Sequence, residues 1–263
     1  MVRFQMMVAE GAYSYVYLSP HLDDAALSCG GRIWQQAQAG AQVAVVTVFA
    51  GGPEPGHSLS PFAEAVHERW GHPIEAALVR REEDREALSI LGAKAVHWPY
   101  LDCIYRKTVG GDFAYDSEQA LWGEIHPEEA SLVQALSVRI GTLPLLPEGT
   151  LFVPLGVGMH VDHRIVRQAT EGSEHPWVAF EDFPYAGDER AVEAALARDA
   201  WGEERAYLSA DALRAKTAAI ACYRSQISTF WQSTADMETA LQEFAQRTGA
   251  GEPAERYWRP IQP

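Results

Sequence analysis

Thiols are scarce in this chain. Cys29, Cys103 and Cys222 are its only cysteines, odd in number and far apart, with no Cys-x-x-Cys pair. That excludes a disulfide framework and a thiolate zinc site, and leaves histidine and carboxylate as the side chains able to hold a metal. Cations are short as well, with 21 Lys and Arg against 36 Asp and Glu for a formal net charge of -15. A surface so poor in cations does not neutralise phosphate, so neither nucleic acid nor anionic membrane is an expected partner. No apolar run approaches bilayer-spanning length, and the N-terminal segment lacks the basic-then-apolar pattern of a secretory signal. Internal repeats and low-complexity tracts are missing too. The expectation is a cytoplasmic protein, without membrane insertion, that acts on a small molecule.

What is present is ordinary in amount and regular in arrangement. The 263 residues, 47% hydrophobic and 22% charged, suffice for one domain, with a core over about 14-180 and a C-terminal extension over about 181-263. Short runs rich in Val, Phe and Tyr read as buried strands: Tyr15 to Leu18, Val43 to Phe49, Ala95 to Trp98, Leu151 to Pro154 and Trp177 to Phe180. Between them lie helix-like stretches at Asp23 to Ala39 and Pro73 to Leu91, each closed by a glycine. Further helices are expected from about Pro127 to Ile140, from near Asp162, from Asp211 to Tyr223 and from Met237 to Arg247. This alternation predicts an α/β fold with a mostly parallel central sheet. The stretch from Ala50 to His72 carries several Gly and Pro residues and reads as a long loop, of a kind that often serves as a lid.

Two clusters carry the chemistry. Ser19-Pro20-His21-Leu22-Asp23-Asp24 directly follows the first strand and places an imidazole and two carboxylates at its exit. In open α/β sheets that exit is where ligands bind. Alone, the segment has two readings: His21 and Asp24 as metal ligands beside a free base Asp23, or Asp23 or Asp24 as the N-cap of the next helix. The second cluster, Gly156-Val157-Gly158-Met159-His160-Val161-Asp162-His163, follows Leu151 to Pro154. If a helix starts there, His160 and His163 are three apart and share a face. A hydrolytic zinc site needs three protein ligands and an open position, and His21, Asp24 and His163 form a set of that type. Asp23 and His160 would stand beside the metal unbound. The competing reading makes His160 and Asp162 a local cap and leaves His163 on a solvated face.

Pro20-His21-Leu22-Asp23-Asp24 and His160-Val161-Asp162-His163 resemble the P-H-x-D-D and H-x-D-H elements of the PIG-L or LmbE-like zinc-dependent N-acetylglucosaminyl deacetylases. Arg80-Arg81-Glu82-Glu83 ahead of Leu91-Gly92 looks like the R-x-x-E helix of that family, and Asp102 after the third strand extends the likeness, which covers roughly residues 14 to 170. The resemblance implies a Rossmann-like three-layer α/β fold and His21, Asp24 and His163 as ligands of Zn2+ or another divalent metal. It implies Asp23 as general base and a protonated His160 that stabilises the oxyanion and protonates the leaving amine. Asp162 would orient His160 and raise its pKa. It further implies that Arg80 and Asp102 bind sugar hydroxyls. The residues alone allow a helix-face Arg80 paired with Glu83 or Asp84, and a turn cap at Asp102. Some members carry a tyrosine two residues before the first histidine of H-x-D-H, where this chain has Gly158.

The implied activity is removal of an N-acetyl or related N-acyl group from a glucosamine unit of a small glycoconjugate. A metallohydrolase of a non-sugar amide or ester, and a non-catalytic glycan-binding protein of the same fold, are the alternatives. A homo-oligomer is left open. Other features receive blander readings. His57, His67 and His72 are expected to be solvated loop histidines, and Glu181-Asp182-Phe183-Pro184-Tyr185 to pack or cap rather than line a pocket. Trp231, Tyr257 and Trp258 are expected to anchor the C-terminal region, and Gly30-Gly31 lacks the G-x-G-x-x-G of a dinucleotide turn.

Overall fold

Alternation within the first apolar run decides the layers. Val16 and Leu18 join one hydrophobic core and Tyr17 the other, so this strand is covered on both faces. The computed structural model describes residues 11–54, 56–71, 76–197 and 199–261. In chain order its elements are β1 (Tyr13–Ser19), α1 (Asp24–Gln38), β2 (Val43–Thr47), α2 (Pro61–Arg69), α3 (Ala76–Leu91), β3 (Lys94–His97), α4 (Glu118–Leu121) and α5 (Ala130–Gly141). They continue with β4 (Leu145–Pro154), α6 (Val161–Glu171), β5 (Trp177–Phe180), α7 (Glu189–Leu196), β6 (Trp201–Tyr207), α8 (Ala210–Ile220), α9 (Arg224–Phe230), α10 (Thr234–Thr248) and β7 (Ala254–Pro260). Among the described residues no helix is long and apolar enough to cross a membrane.

The seven strands form one sheet in the order β3-β2-β1-β4-β5-β7-β6. The first five are parallel, and β7 joins β5 and β6 antiparallel. Helices α1, α3 and α8 cover one face through Ile33, Leu88, Leu91 and Ala219. The other face is covered by α5, α6 and α10 through Leu136, Ile165, Val166 and Leu241. The expected three-layer α/β architecture with a mostly parallel sheet is what the structure shows. From β1 the chain steps outward to β2 and β3, then returns to the opposite side of β1 as β4. That reversal opens a crevice beyond the carboxyl ends of β1 and β4. His21 follows the first strand and His163 begins the helix after the second, so the reversal brings the two clusters together.

The structure adds several elements to those expected. The stretch read as a long loop contains α2, started by Ser60, whose hydroxyl accepts the Ala63 N–H at 3.0 Å, with Pro61 at the first helical position. His72 and Pro73 lie outside the described residues. Past residue 181, β6 and β7 extend the sheet, although Trp201-Gly202-Glu203-Glu204-Arg205-Ala206-Tyr207 is too charged to read as a buried strand. Its burial alternates between partial and exposed, as befits a sheet edge. The helices α4, α7 and α9, the last directly after Tyr223, were not expected either.

Candidate active site

Ser19, at the end of β1, folds the first cluster. Its Oγ donates to the His21 carbonyl at 2.7 Å and accepts the Ala25 N–H at 3.0 Å, so it serves the start of α1 that an aspartate might otherwise cap. Asp23 occupies the N-cap position yet its side chain makes no capping bond. Asp24 Oδ2 instead accepts the His21 backbone N–H at 2.7 Å. The same oxygen lies 3.3 Å from His21 Nδ1 and 3.4 Å from His163 Nε2.

Each imidazole is tied down on its far side. His21 Nε2 bonds Asp162 Oδ2 at 2.9 Å, and His163 Nδ1 bonds Asp182 Oδ1 at 2.7 Å. Asp182, just after β5, also accepts the Gly156 and Val157 N–H groups, each at 2.8 Å, and so fixes the loop that carries the second cluster. Asp162 is fully buried and accepts from Arg106 at 2.6 Å and from the Cys103 N–H at 3.1 Å. Arg106 in turn lies 2.9 Å from Glu129. These outer bonds leave His21 Nδ1 and His163 Nε2 turned toward Asp24. Four-coordinate zinc with bonds of about 2.0–2.1 Å separates neighbouring ligand atoms by about 3.3–3.4 Å, which is the spacing found on both sides of Asp24 Oδ2. Carboxylates behind ligating histidines are the usual support of such a site. The donor set fits a metal ion. His160 also stands near, since His21, His160 and His163 have ring nitrogens within 4.8 Å of one another. Its Nδ1, however, accepts the Asp162 N–H at 3.2 Å.

The electrostatics follow from this wiring. Burial disfavours a charged Asp24, but His163 and His21 outweigh it and hold the carboxyl far below the usual range. Burial alone would lower His21, whereas Asp102 and the Asp162 and Asp24 bonds push it well up. His163 is raised against burial by Asp24 and Asp182. A metal would take the place of those protons. Asp23 is different: burial and the neighbouring Asp24 push it up to about 6, against the partial relief of Arg80 and His21. Two adjacent carboxylates thus have opposite proton affinities, a pattern that assigns separate roles.

In front of these groups lies a cavity of about 310 Å³. His21, Asp23, Asp24, Arg80, Asp102 and His160 all line it, while Asp162 and His163 stand behind. Arg80 does not pair with Glu83 or Asp84. Its guanidinium sits 4.4 Å above the Trp70 ring and 3.7 Å from Asp23. Asp102 caps its turn, accepting the Ile104 N–H at 3.3 Å, and also lines the cavity, 3.9 Å from His21 Nε2.

Residues 16–172 match the PIG-L family, described as GlcNAc-PI de-N-acetylase. The chain belongs to this family. Among curated proteins it is similar to the 2'-N-acetylparomamine deacetylase of Niallia circulans, 26% identical over 187 residues, 65% of this chain and 67% of that one. A protein of the same description from Streptomyces fradiae is 31% identical over 186 residues, 67% of this chain, which spans 59% of that relative's length. Among solved structures, the zinc-inhibited form of the teicoplanin deacetylase Orf2 superposes with a TM-score of 0.82 at 28% identity, over 95% of this chain and 98% of that one.

Within this PIG-L chain two expected details change. Asp162 was expected to orient His160 through its carboxylate, but both of its oxygens are taken by His21, Arg106 and Cys103, and only its backbone N–H reaches His160. A protonated His160 was also expected. Burial first, and then the charge on His21, hold this imidazole well below its ordinary value despite Asp162. With Nδ1 accepting the Asp162 N–H, a single proton on this ring belongs on Nε2.

The tyrosine sought at position 158 arrives from elsewhere. The Tyr185 ring lies so close to Gly158 that a Cβ there would sit 2.9 Å from Tyr185 Cβ and Cγ, and Tyr185 lines the cavity. Burial, with Asp24 and Asp23 adding to it, raises the phenol and keeps it a donor. Of the segment expected to pack or cap, Glu181 bonds Arg256 and Trp258 and Asp182 accepts the Gly156 and Val157 N–H groups, while Tyr185 lines the cavity. Gly158 also has φ 84°, where only glycine is unstrained. Gly158→Ala should displace Tyr185 and destabilise the protein by about 1–3 kcal/mol, read from urea unfolding; an unchanged midpoint would contradict this packing.

Neither His57 nor His67 joins a candidate metal-holding group among the described residues. His57 is exposed and 4.0 Å from Glu54, and His67, expected to be solvated, is buried against Tyr105. Trp231 packs on Phe183, and Tyr257 and Trp258 belong to β7, so these aromatics do anchor the C-terminal region. Gly30 and Gly31 lie inside α1, where a Cβ would meet Lys216 at 2.9 Å and Leu208 at 2.6 Å. They permit α8 and its flanking segment to approach.

Proposed function

We propose that this protein is a zinc-dependent N-deacetylase that hydrolyses the N-acetyl, or a related N-acyl, group of a glucosamine unit in a small glycoconjugate. The observation that carries the reading is Asp24 Oδ2 set 3.3 and 3.4 Å from the two inward-facing ring nitrogens, with Asp23 left free beside them. The amide-cleaving chemistry of the similar deacetylases points the same way.

His21, Asp24 and His163 would hold the ion. Zn2+ supplies a Lewis acid for the acyl carbonyl and makes a water acidic enough to be deprotonated near neutral pH. Asp23 takes the proton of the attacking water as its oxygen bonds to the acyl carbon. The neutral His160, through Nε2–H, and the Tyr185 hydroxyl are donors toward the oxygen that gains charge. As the C–N bond breaks, the proton that Asp23 took from the water passes to the departing amine, giving a carboxylate and a free amino sugar. Arg80 and Asp102 bind sugar hydroxyls from opposite polarity, one donating and the other accepting. Three unbridged thiols fit a reducing, cytoplasmic setting.

Chelator-stripped protein should lose acetate release from a panel of N-acetylglucosaminyl conjugates and regain it on adding stoichiometric zinc. Activity that persists in metal-free protein would defeat this mechanism, and cleavage restricted to non-sugar amides would defeat the substrate class.

A further inference from the structure

Glu83, Ser225 and Gln226 form a chain in which hydrogen-bond polarity runs one way. Glu83, in the middle of α3 and 3% exposed, accepts the Ser225 backbone N–H at 3.0 Å and the Ser225 hydroxyl at 2.6 Å. A carboxylate only accepts, so the Ser225 hydrogen is committed to Glu83 and its oxygen has only lone pairs left for other neighbours. The next neighbour is the Gln226 amide, 2.9 Å away, which must therefore present its NH2 group. Its carbonyl oxygen is then turned the other way. Gln226 is 5% exposed and lines the cavity, and the side-chain hydrogen bond it makes among the described residues is the one from Nε2 to Ser225. Three residues further along α9, on the same face, Thr229 also lines the cavity with a buried Oγ1 that lacks a partner. Thr229 Oγ1 is thus a buried polar group without a partner, a standing desolvation penalty unless a ligand fills it.

We propose that Gln226 Oε1 is a substrate-binding acceptor for a sugar hydroxyl, that Thr229 completes this subsite, and that Glu83 is a positioning residue fixing which end of the amide faces the sugar. The proposal rests on the deacetylase reading for its substrate. It lies in α9, beyond the residues 16–172 that match the family. An acceptor at this point selects hydroxyl-bearing sugars and disfavours ligands that bring phosphate or carboxylate oxygens to it.

The test compares wild type, Gln226→Met and Glu83→Gln on an N-acetylglucosaminyl conjugate that the wild type cleaves, and on its monodeoxy derivatives. A neutral hydrogen bond contributes about 0.5–1.5 kcal/mol, so Gln226→Met should lower kcat/KM about 2- to 10-fold, carried by KM rather than kcat. One monodeoxy derivative should cost the wild type that same factor and cost Gln226→Met nothing further. Glu83→Gln releases the Ser225 polarity and should shift KM in the same direction, with equal unfolding midpoints excluding a folding defect. An unchanged KM in Gln226→Met, or equal losses on every derivative in both proteins, overturns the subsite. A wild type that cleaves no conjugate sinks the activity instead, and the subsite is then judged by calorimetric binding of N-acetylglucosamine. Equal Kd for wild type and Gln226→Met overturns it there.

Discussion

Asp23→Asn is expected to keep its metal and lose turnover by about 10²- to 10⁴-fold, the range that general-base catalysis contributes. The substitution preserves shape and leaves His21, Asp24 and His163 untouched, so metal content should equal that of the wild type. What disappears is the ability to take a proton. Asp23 is suited to that task because burial and the adjacent Asp24 push it up to about 6, near working pH, while Arg80 at 3.7 Å keeps it from rising further. The sign of the pH dependence follows. A base acts in its ionised form, so wild-type kcat/KM should fall as pH drops through about 6 and be flat above it. Acetate release beside a metal assay decides the matter: a variant that turns over normally removes Asp23 from the mechanism, and one that loses metal makes it a ligand.

Asp162→Ala should act on stability and metal together. The fully buried carboxylate holds Arg106 at 2.6 Å, His21 Nε2 at 2.9 Å and the Cys103 N–H at 3.1 Å. Deleting it strands two donors and leaves Arg106 with Glu129 and the Leu101 carbonyl. Breaking a buried pair from one side typically costs about 3–5 kcal/mol. His21 would lose the partner that keeps its proton on Nε2 and Nδ1 open, and loss of such an outer bond typically weakens metal affinity about 10- to 100-fold. Urea unfolding and zinc titration measure the two effects separately. If both match the wild type, Asp162 is not the support described above. Asp23→Asn should leave both readings unchanged, so the two aspartates separate cleanly.

The residues that proved easiest to read are those whose partners are near in sequence or whose pattern is periodic. Buried parallel strands such as Val43 to Thr47 are continuous apolar runs, and the clusters at His21 and His160 sit at strand exits. That two strand exits share one crevice is a property of sheet order, and the placement of Asp24 beside His163 follows from it. The partners of Asp162 could not be read, because Arg106 and Cys103 lie on a separate segment and the sequence offers the nearer His160 instead. Asp182 shows the same limit: it was expected to pack or cap, and its bond to His163 depends on where β5 delivers it. The α2 signal, Ser60 followed by Pro61, was legible but outweighed by the glycines and prolines before it. Strands β6 and β7 were obscured by charge. Glu255 in β7 reads as a surface residue, yet it is buried against Lys216 at 2.7 Å and accepts the Gly31 N–H at 2.9 Å.

The pairing of β1 with β4, in which Tyr17 lies beside Phe152, also governs when the metal can arrive. A growing chain that has reached only β3 carries His21 and Asp24 but neither His163 nor the two carboxylates that align the imidazoles. Joining β4 to β1 closes a loop that includes β2, α3, β3 and α5, a long-range event that comes late when loop closure sets the order of folding. A metal held as proposed would therefore be captured after the topology is set, and the apo chain should reach its native sheet with no ion at all.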